Sequence, residues 1–152
     1  MNHVFAMAEH LVHLIQSPQF ARNFRLVHNS PQFTNVCFWF LPDKYADAFA
    51  TDFEEREGRL FGPKKPDQLR TLLFLGYLLV SQCFSFVGSV TTAVRAEMLN
   101  RGQLLMGYST LSIQSWAMPN FFRFVAVGRQ IAPEHLVFAL EHLREIGNQI
   151  YK

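Results

Sequence analysis

One arginine stands inside the apolar run Met118–Val127, MPNFFRFVAV. A guanidinium keeps its proton and is costly to bury alone, so Arg123 must either reach water or meet an anion. A planar fork of this kind is able to take a carboxylate through two parallel hydrogen bonds, so an external anion is one partner open to Arg123. The bland alternative is an edge-strand arginine paired with a glutamate of its own chain. His10 and His13 lie three apart with no glutamate or third ligand to complete a metal pattern, so solvated or capping roles are expected of them. Cys37 and Cys83 each sit in an apolar stretch with no C-x-x-C or histidine spacing, which argues against zinc and for a reducing, cytoplasmic compartment.

The elements that must position Arg123 belong to one domain. The 152 residues, residues 1–152 taken together, are 49% hydrophobic and 17% charged, the composition of a globular chain able to bury a core. Fourteen Lys and Arg against 12 Asp and Glu leave a net charge of +2, and no basic run exceeds Lys64-Lys65, so no nucleic-acid partner is expected. MNHVFAMAEHLVHLIQ has no basic n-region and places Glu9 and three histidines where a signal peptide would be apolar, so no targeting peptide is expected.

Val4, Met7, Ala8, Leu11, Val12 and Ile15 follow helical spacing and predict an amphipathic helix over residues 3–16, ending before Pro18. TNVCFWFL, residues 34–41, is dense in β-branched and aromatic residues and predicts a strand stopped at Pro42. Residues 42–70 read as a long, solvated, flexible connection with one helical piece near Tyr45–Arg56. A helix ending at Gly102 covers residues 91–102, a short strand follows at QLLMGY, and another strand covers residues 120–127. Pro133 opens a last helix whose core face is Leu136, Ala139, Leu140, Leu143, Ile146 and Ile150. The order predicts an α+β domain, a small antiparallel sheet with helices packed on one face.

Residues 71–90, TLLFLGYLLVSQCFSFVGSV, carry no charge and are long enough to span a bilayer. Ser81, Gln82, Ser85 and two glycines weaken a membrane span, and a buried core helix is the plain alternative. A third reading treats the segment as an apolar insert from retained intron or an erroneous gene model, because CFSFVG is how a translated pyrimidine tract and splice acceptor read.

With that segment set aside, TNVCFWFLP, AVRAEMLNRGQLLMGYS and PNFFRFVAV leading into PEHLVFALEHLREIGNQI resemble, in this order, the C-terminal small domain of the group II pyridoxal-phosphate-dependent amino-acid decarboxylases, the glutamate and cysteine sulfinate decarboxylase family. The NVCFWF wording is more similar to the branch acting on acidic substrates. The resemblance implies a carboxy-lyase fragment acting on glutamate, cysteine sulfinate or aspartate, with Arg123 pairing with the substrate α-carboxylate and pyridoxal phosphate as cofactor. Asn35 and Asn120 would brace strand ends, and Trp39 and Tyr108 would pack the sheet.

The family draws its Schiff-base lysine from a His-Lys motif, and none of Lys44, Lys64, Lys65 and Lys152 follows a histidine. The chain also has no glycine-rich phosphate cradle. By itself it is therefore expected to be inactive, and docking onto an intact subunit of this homodimeric family, or a single-pass membrane protein built on residues 71–90, are the competing expectations. Long-read transcripts and carbonate extraction separate the readings of that segment. Messages that all keep codons 71–90 overturn the intron reading, and only a membrane span resists extraction.

Overall fold

The computed structural model describes residues 2–31, 33–47 and 69–152, except 103, 105, 111, 114, 115, 118 and 129. The side chains of residues 69–84 and of the 112–117 hairpin lie outside that description. The elements are α1 (Asn2–Gln16), β1 (Phe24–Leu26), β2 (Asn35–Phe40), α2 (Leu69–Arg101), β3 (Gly107–Ser109), β4 (Ser112–Ile113), β5 (Trp116–Ala117), β6 (Phe121–Val125) and α3 (Pro133–Ile150). Four strands form one antiparallel sheet in the order β1-β2-β6-β3, while β4 and β5 pair with each other. This is the α+β architecture that the pattern predicts.

Period-two alternation sorts the sheet into two faces. Phe24 lies opposite Phe40, Leu26 opposite Phe38, and Phe38 opposite Phe122, so these rings share one face. That face meets Met7, Ala8, Leu11, Val12 and Ile15 of α1, Val90, Val94 and Met98 of α2, and Leu136, Leu140, Leu143 and Ile146 of α3 in a single core. Phe24 packs edge-on against Phe20 and Phe38 at ring distances of 5.9 and 5.8 Å, arrangements that add about 0.5–1.5 kcal/mol each beyond burial. A smaller cluster, Trp39, Leu41, Ala46, Val87 and Phe121, gathers at one end of the opposite face.

The helix boundaries have local causes. Gly102 takes φ 63° and its N–H donates to Met98 O at 3.0 Å, the left-handed stop expected of a glycine at the end of α2. Pro133 occupies the first turn of α3 and Glu134 follows it, where the helix dipole favours a carboxylate. One expected core residue is corrected: Ile150 is 39% exposed, because the last turn of α3 runs past the core, and Gly147 is buried instead.

The start of the connection is pinned. Asp43 accepts from Asn23 Nδ2 at 2.7 Å and from Asn148 Nδ2 at 2.6 Å, and its own N–H donates to Asn148 Oδ1 at 2.8 Å. Residues 43–47 are helical, and the remainder of the expected connection to residue 68 lies outside the described residues. The apolar segment at 71–90 falls within one continuous helix, α2, and its last residues, Val87 and Val90, are fully buried. Among the described residues no helix is long and apolar enough to cross a membrane.

A Cβ added to Gly147 would overlap the ring of Phe40, itself fully buried. Gly147→Ala is therefore expected to lower stability by about 1–3 kcal/mol despite alanine's better helix propensity. Chemical denaturation measures this, and a stabilised variant would show that the helix and strand can move apart.

Candidate functional site

Arg123 sits at the middle of β6, an interior strand whose neighbours are β2 and β3. Its Cα partners are Cys37 on one side and Gly107 on the other. Phe122 points into the core and is fully buried, so alternation turns Arg123 to the opposite face, where it is exposed. Phe121 shares the face of Arg123, as predicted, and its ring stands edge-on to Trp39 at 6.4 Å.

The surroundings leave the guanidinium open. Gly107 has no side chain to cover it, and a Cβ built there would meet only Arg123 O at 3.7 Å. Among the described residues no carboxylate pairs with Arg123. The ion pairs lie elsewhere, Arg22 with Asp47 at 2.9 Å and Arg101 with Glu97 at 2.8 Å. The edge-strand part of the bland alternative is corrected, because β6 is held on both sides, while Glu54, Glu55 and Glu57 lie outside the described residues.

Cys37 is a free, half-buried thiol directly across the ladder. Burial pushes its pKa above the ordinary thiol value, and the Arg123 guanidinium pulls in the other direction by favouring the thiolate.

The other singled-out residues separate into groups. Trp39 is buried and donates its indole N–H to Pro119 O at 3.3 Å, a packing role as expected. Tyr108, expected to pack the sheet, is instead 46% exposed, because β3 is the outer strand and nothing described covers its ring. Asn35 lies opposite Val125 at the end of β2, and Asn120 is braced through its backbone carbonyl rather than its side chain. His10 is half-buried and His13 exposed on α1, and among the described residues no three His, Cys, Asp or Glu side chains gather as a metal site. The side chain of Cys83 lies outside the described residues.

Three features escaped the sequence reading. The three-residue strand β1 and the β4–β5 pair are too short to show a period, although Phe24-Arg25-Leu26 does alternate. Thr91, fully buried on α2, carried no motif signal, yet its hydroxyl donates to Asn120 O at 2.8 Å beside the start of β6.

The described residues do not compose a pyridoxal phosphate site. The ammonium of Lys44 lies over the Tyr45 ring, 5.6 Å from its centroid, Lys152 is exposed at the end of the chain, and Lys64 and Lys65 lie outside the described residues. Among the described residues no lysine accompanies Arg123 on its face of the sheet. What those residues present there is an exposed planar cation.

No family model matches the chain. It is 25% identical over 150 residues to acidic amino acid decarboxylase GADL1 of Mus musculus, a match covering 99% of this chain and 20% of that protein. It is 23% identical to the protein of the same name in Homo sapiens, covering 99% and 22%. Its fold matches the crystal structure of mouse CSAD in apo form with a TM-score of 0.65 at 23% identity, covering 97% of this chain and 24% of that one. The chain therefore spans about a fifth of the length of the curated relatives it matches.

The Cys37–Arg123 juxtaposition gives a direct readout. In a Cys83→Ser background, Arg123→Ala is expected to raise the Cys37 pKa further, since the cation that favours the thiolate is gone while burial remains. Alkylation at a fixed pH between 8 and 9 should slow, and an unchanged pH profile would show that the guanidinium does not face the thiol.

Proposed function

We propose that this chain, a domain fragment of the group II pyridoxal-phosphate-dependent decarboxylases, supplies the carboxylate-orienting arginine of an enzyme acting on an acidic amino acid. The observation that carries this reading is Arg123 itself, exposed on an interior strand, beside a glycine, with no carboxylate partner among the described residues. A fork of this kind holds a carboxylate through two parallel hydrogen bonds and so fixes the plane of the group, which is a positioning contribution to breaking the bond behind it. Glutamate, cysteine sulfinate and aspartate are the substrates in view, in keeping with the acidic amino acid decarboxylase name of the relatives. The C-terminal small domain of such an enzyme is the location this reading gives to the chain.

Pyridoxal phosphate is the cofactor of the whole enzyme in this reading. The described residues of this chain do not compose a site for it, and the reading assigns its lysine and phosphate cradle to the part of such an enzyme that the chain does not span. A cytoplasmic, reducing setting is consistent with Cys37 as a free thiol. In a second reading the chain acts by docking onto an intact decarboxylase subunit. Capture of such a subunit by the folded chain tests it, and failure to bind counts against it.

The primary test is an NMR titration of the chain with L-glutamate, cysteine sulfinate and L-aspartate, following the Arg123 Nε–H signal. Binding on the order of millimolar is expected for one charge-assisted pair in an open site. Arg123→Lys should weaken it about tenfold, because the bidentate geometry is lost while the charge remains, and Arg123→Ala should abolish it. Equal affinity in wild type and Arg123→Ala overturns the assignment.

A further inference from the structure

Arg123 can orient a carboxylate only if the backbone beneath it is held, and the two residues before β6 carry an unusual concentration of contacts. The indole N–H of Trp39 donates to Pro119 O at 3.3 Å. The hydroxyl of Thr91, fully buried, donates to Asn120 O at 2.8 Å, sharing its proton with Val87 O at 3.1 Å. Gly88 lets α2 approach so closely that an added Cβ would stand 3.3 Å from Asn120 N and 3.6 Å from Pro119 Cα. The Trp39 ring then continues onto Phe121, the first residue of β6, where Val87 joins the same cluster.

We infer that Trp39, Gly88 and Thr91 are positioning residues for Arg123, clamping Pro119 and Asn120 from β2 on one side and from α2 on the other. The inference rests on the carboxylate-binding reading of Arg123 and deepens it. Carbonyls in a buried or half-buried segment need donors, and here each is met by a side chain that belongs to a different element. Arg123 follows Asn120 by three residues, so a shift in that segment passes down an extended strand with little slack to absorb it. A bidentate contact tolerates displacement of only a fraction of an ångström, about 0.5 Å. Gly88 also lies within the apolar segment of residues 71–90, so the end of that segment belongs to the frame of the site.

The test uses the whole chain with Thr91→Val, Thr91→Ser and Trp39→Phe. The valine keeps the volume and removes the donor, the serine restores it, and the phenylalanine keeps an aromatic ring without the indole N–H. The first readout, residue-resolved amide hydrogen exchange in the free protein, needs no ligand. Thr91→Val and Trp39→Phe should each speed exchange across Phe121–Phe124 by about tenfold while Leu26 and Phe38 change by less than about twofold, with Thr91→Ser near wild type. The second readout is affinity for L-glutamate well below the melting temperature, expected to fall about fivefold in both donor-free variants.

Uniform acceleration across the sheet, or local acceleration with unchanged glutamate affinity, overturns the positioning role, since a merely structural contact would lower the melting temperature without moving either pattern. If Thr91→Val fails to fold, Trp39→Phe decides alone. If wild type itself binds no carboxylate, the reading of Arg123 fails and this inference fails with it, whereas binding by wild type with an even exchange pattern removes only the clamp.

Discussion

Phe122 and Arg123 are adjacent in the chain and lie on opposite faces of β6, so burying the first is what exposes the second. Phe122 is fully buried against the aromatic face built from Phe24, Phe38 and Phe40, and burial of such a ring stabilises by about 1.5–3 kcal/mol. Slipping the register by one residue would exchange the two, placing a guanidinium among phenylalanine rings and a phenylalanine in water. The pairings Cys37 with Arg123 and Gly107 with Arg123 are therefore enforced by hydrophobic burial on the other side of the sheet.

Arg123 differs from several other arginines in what it is given to do. Arg22 is engaged by Asp47, Arg101 by Glu97 and Gln149, and Arg144 lies over the Phe20 ring while donating to Gln19 O. Exposed pairs of this kind contribute little to stability, but they do fix where a side chain points. Among the described residues Arg123 has no such partner, and it stands on an interior strand next to a glycine that keeps the approach open. The proposed carboxylate-binding reading depends on that combination, since an in-chain partner would compete with a ligand.

The amphipathic helices α1 and α3 were legible because each buries one stripe, and a stripe at 3.6-residue spacing survives in the sequence. β2 and β6 were legible from β-branched and aromatic density, with edges differing by a residue or two from the expected spans. α2 was legible only at its C-terminal end, where Gly102 marks the stop, because the uncharged stretch before it has no periodic polar face to reveal how it is turned. β1 was missed since three residues hold too little period, and Ile150 was misplaced since helical spacing says which way a residue points but not where the neighbouring core ends.

The sequence by itself determined the α+β class and the central helices and strands, because these follow from local periodicity, and it singled out Arg123 as a candidate through its resemblance to a known family. Tertiary structure decided the rest. It put β6 in the interior of the sheet, set Cys37 and Gly107 beside Arg123, and brought Thr91, Gly88 and Trp39 onto the two residues that precede the strand. Those neighbours are separated from Arg123 by between 16 and 86 positions, and contacts over such distances depend on strand order and helix docking, which burial of the common core selects and no local pattern encodes.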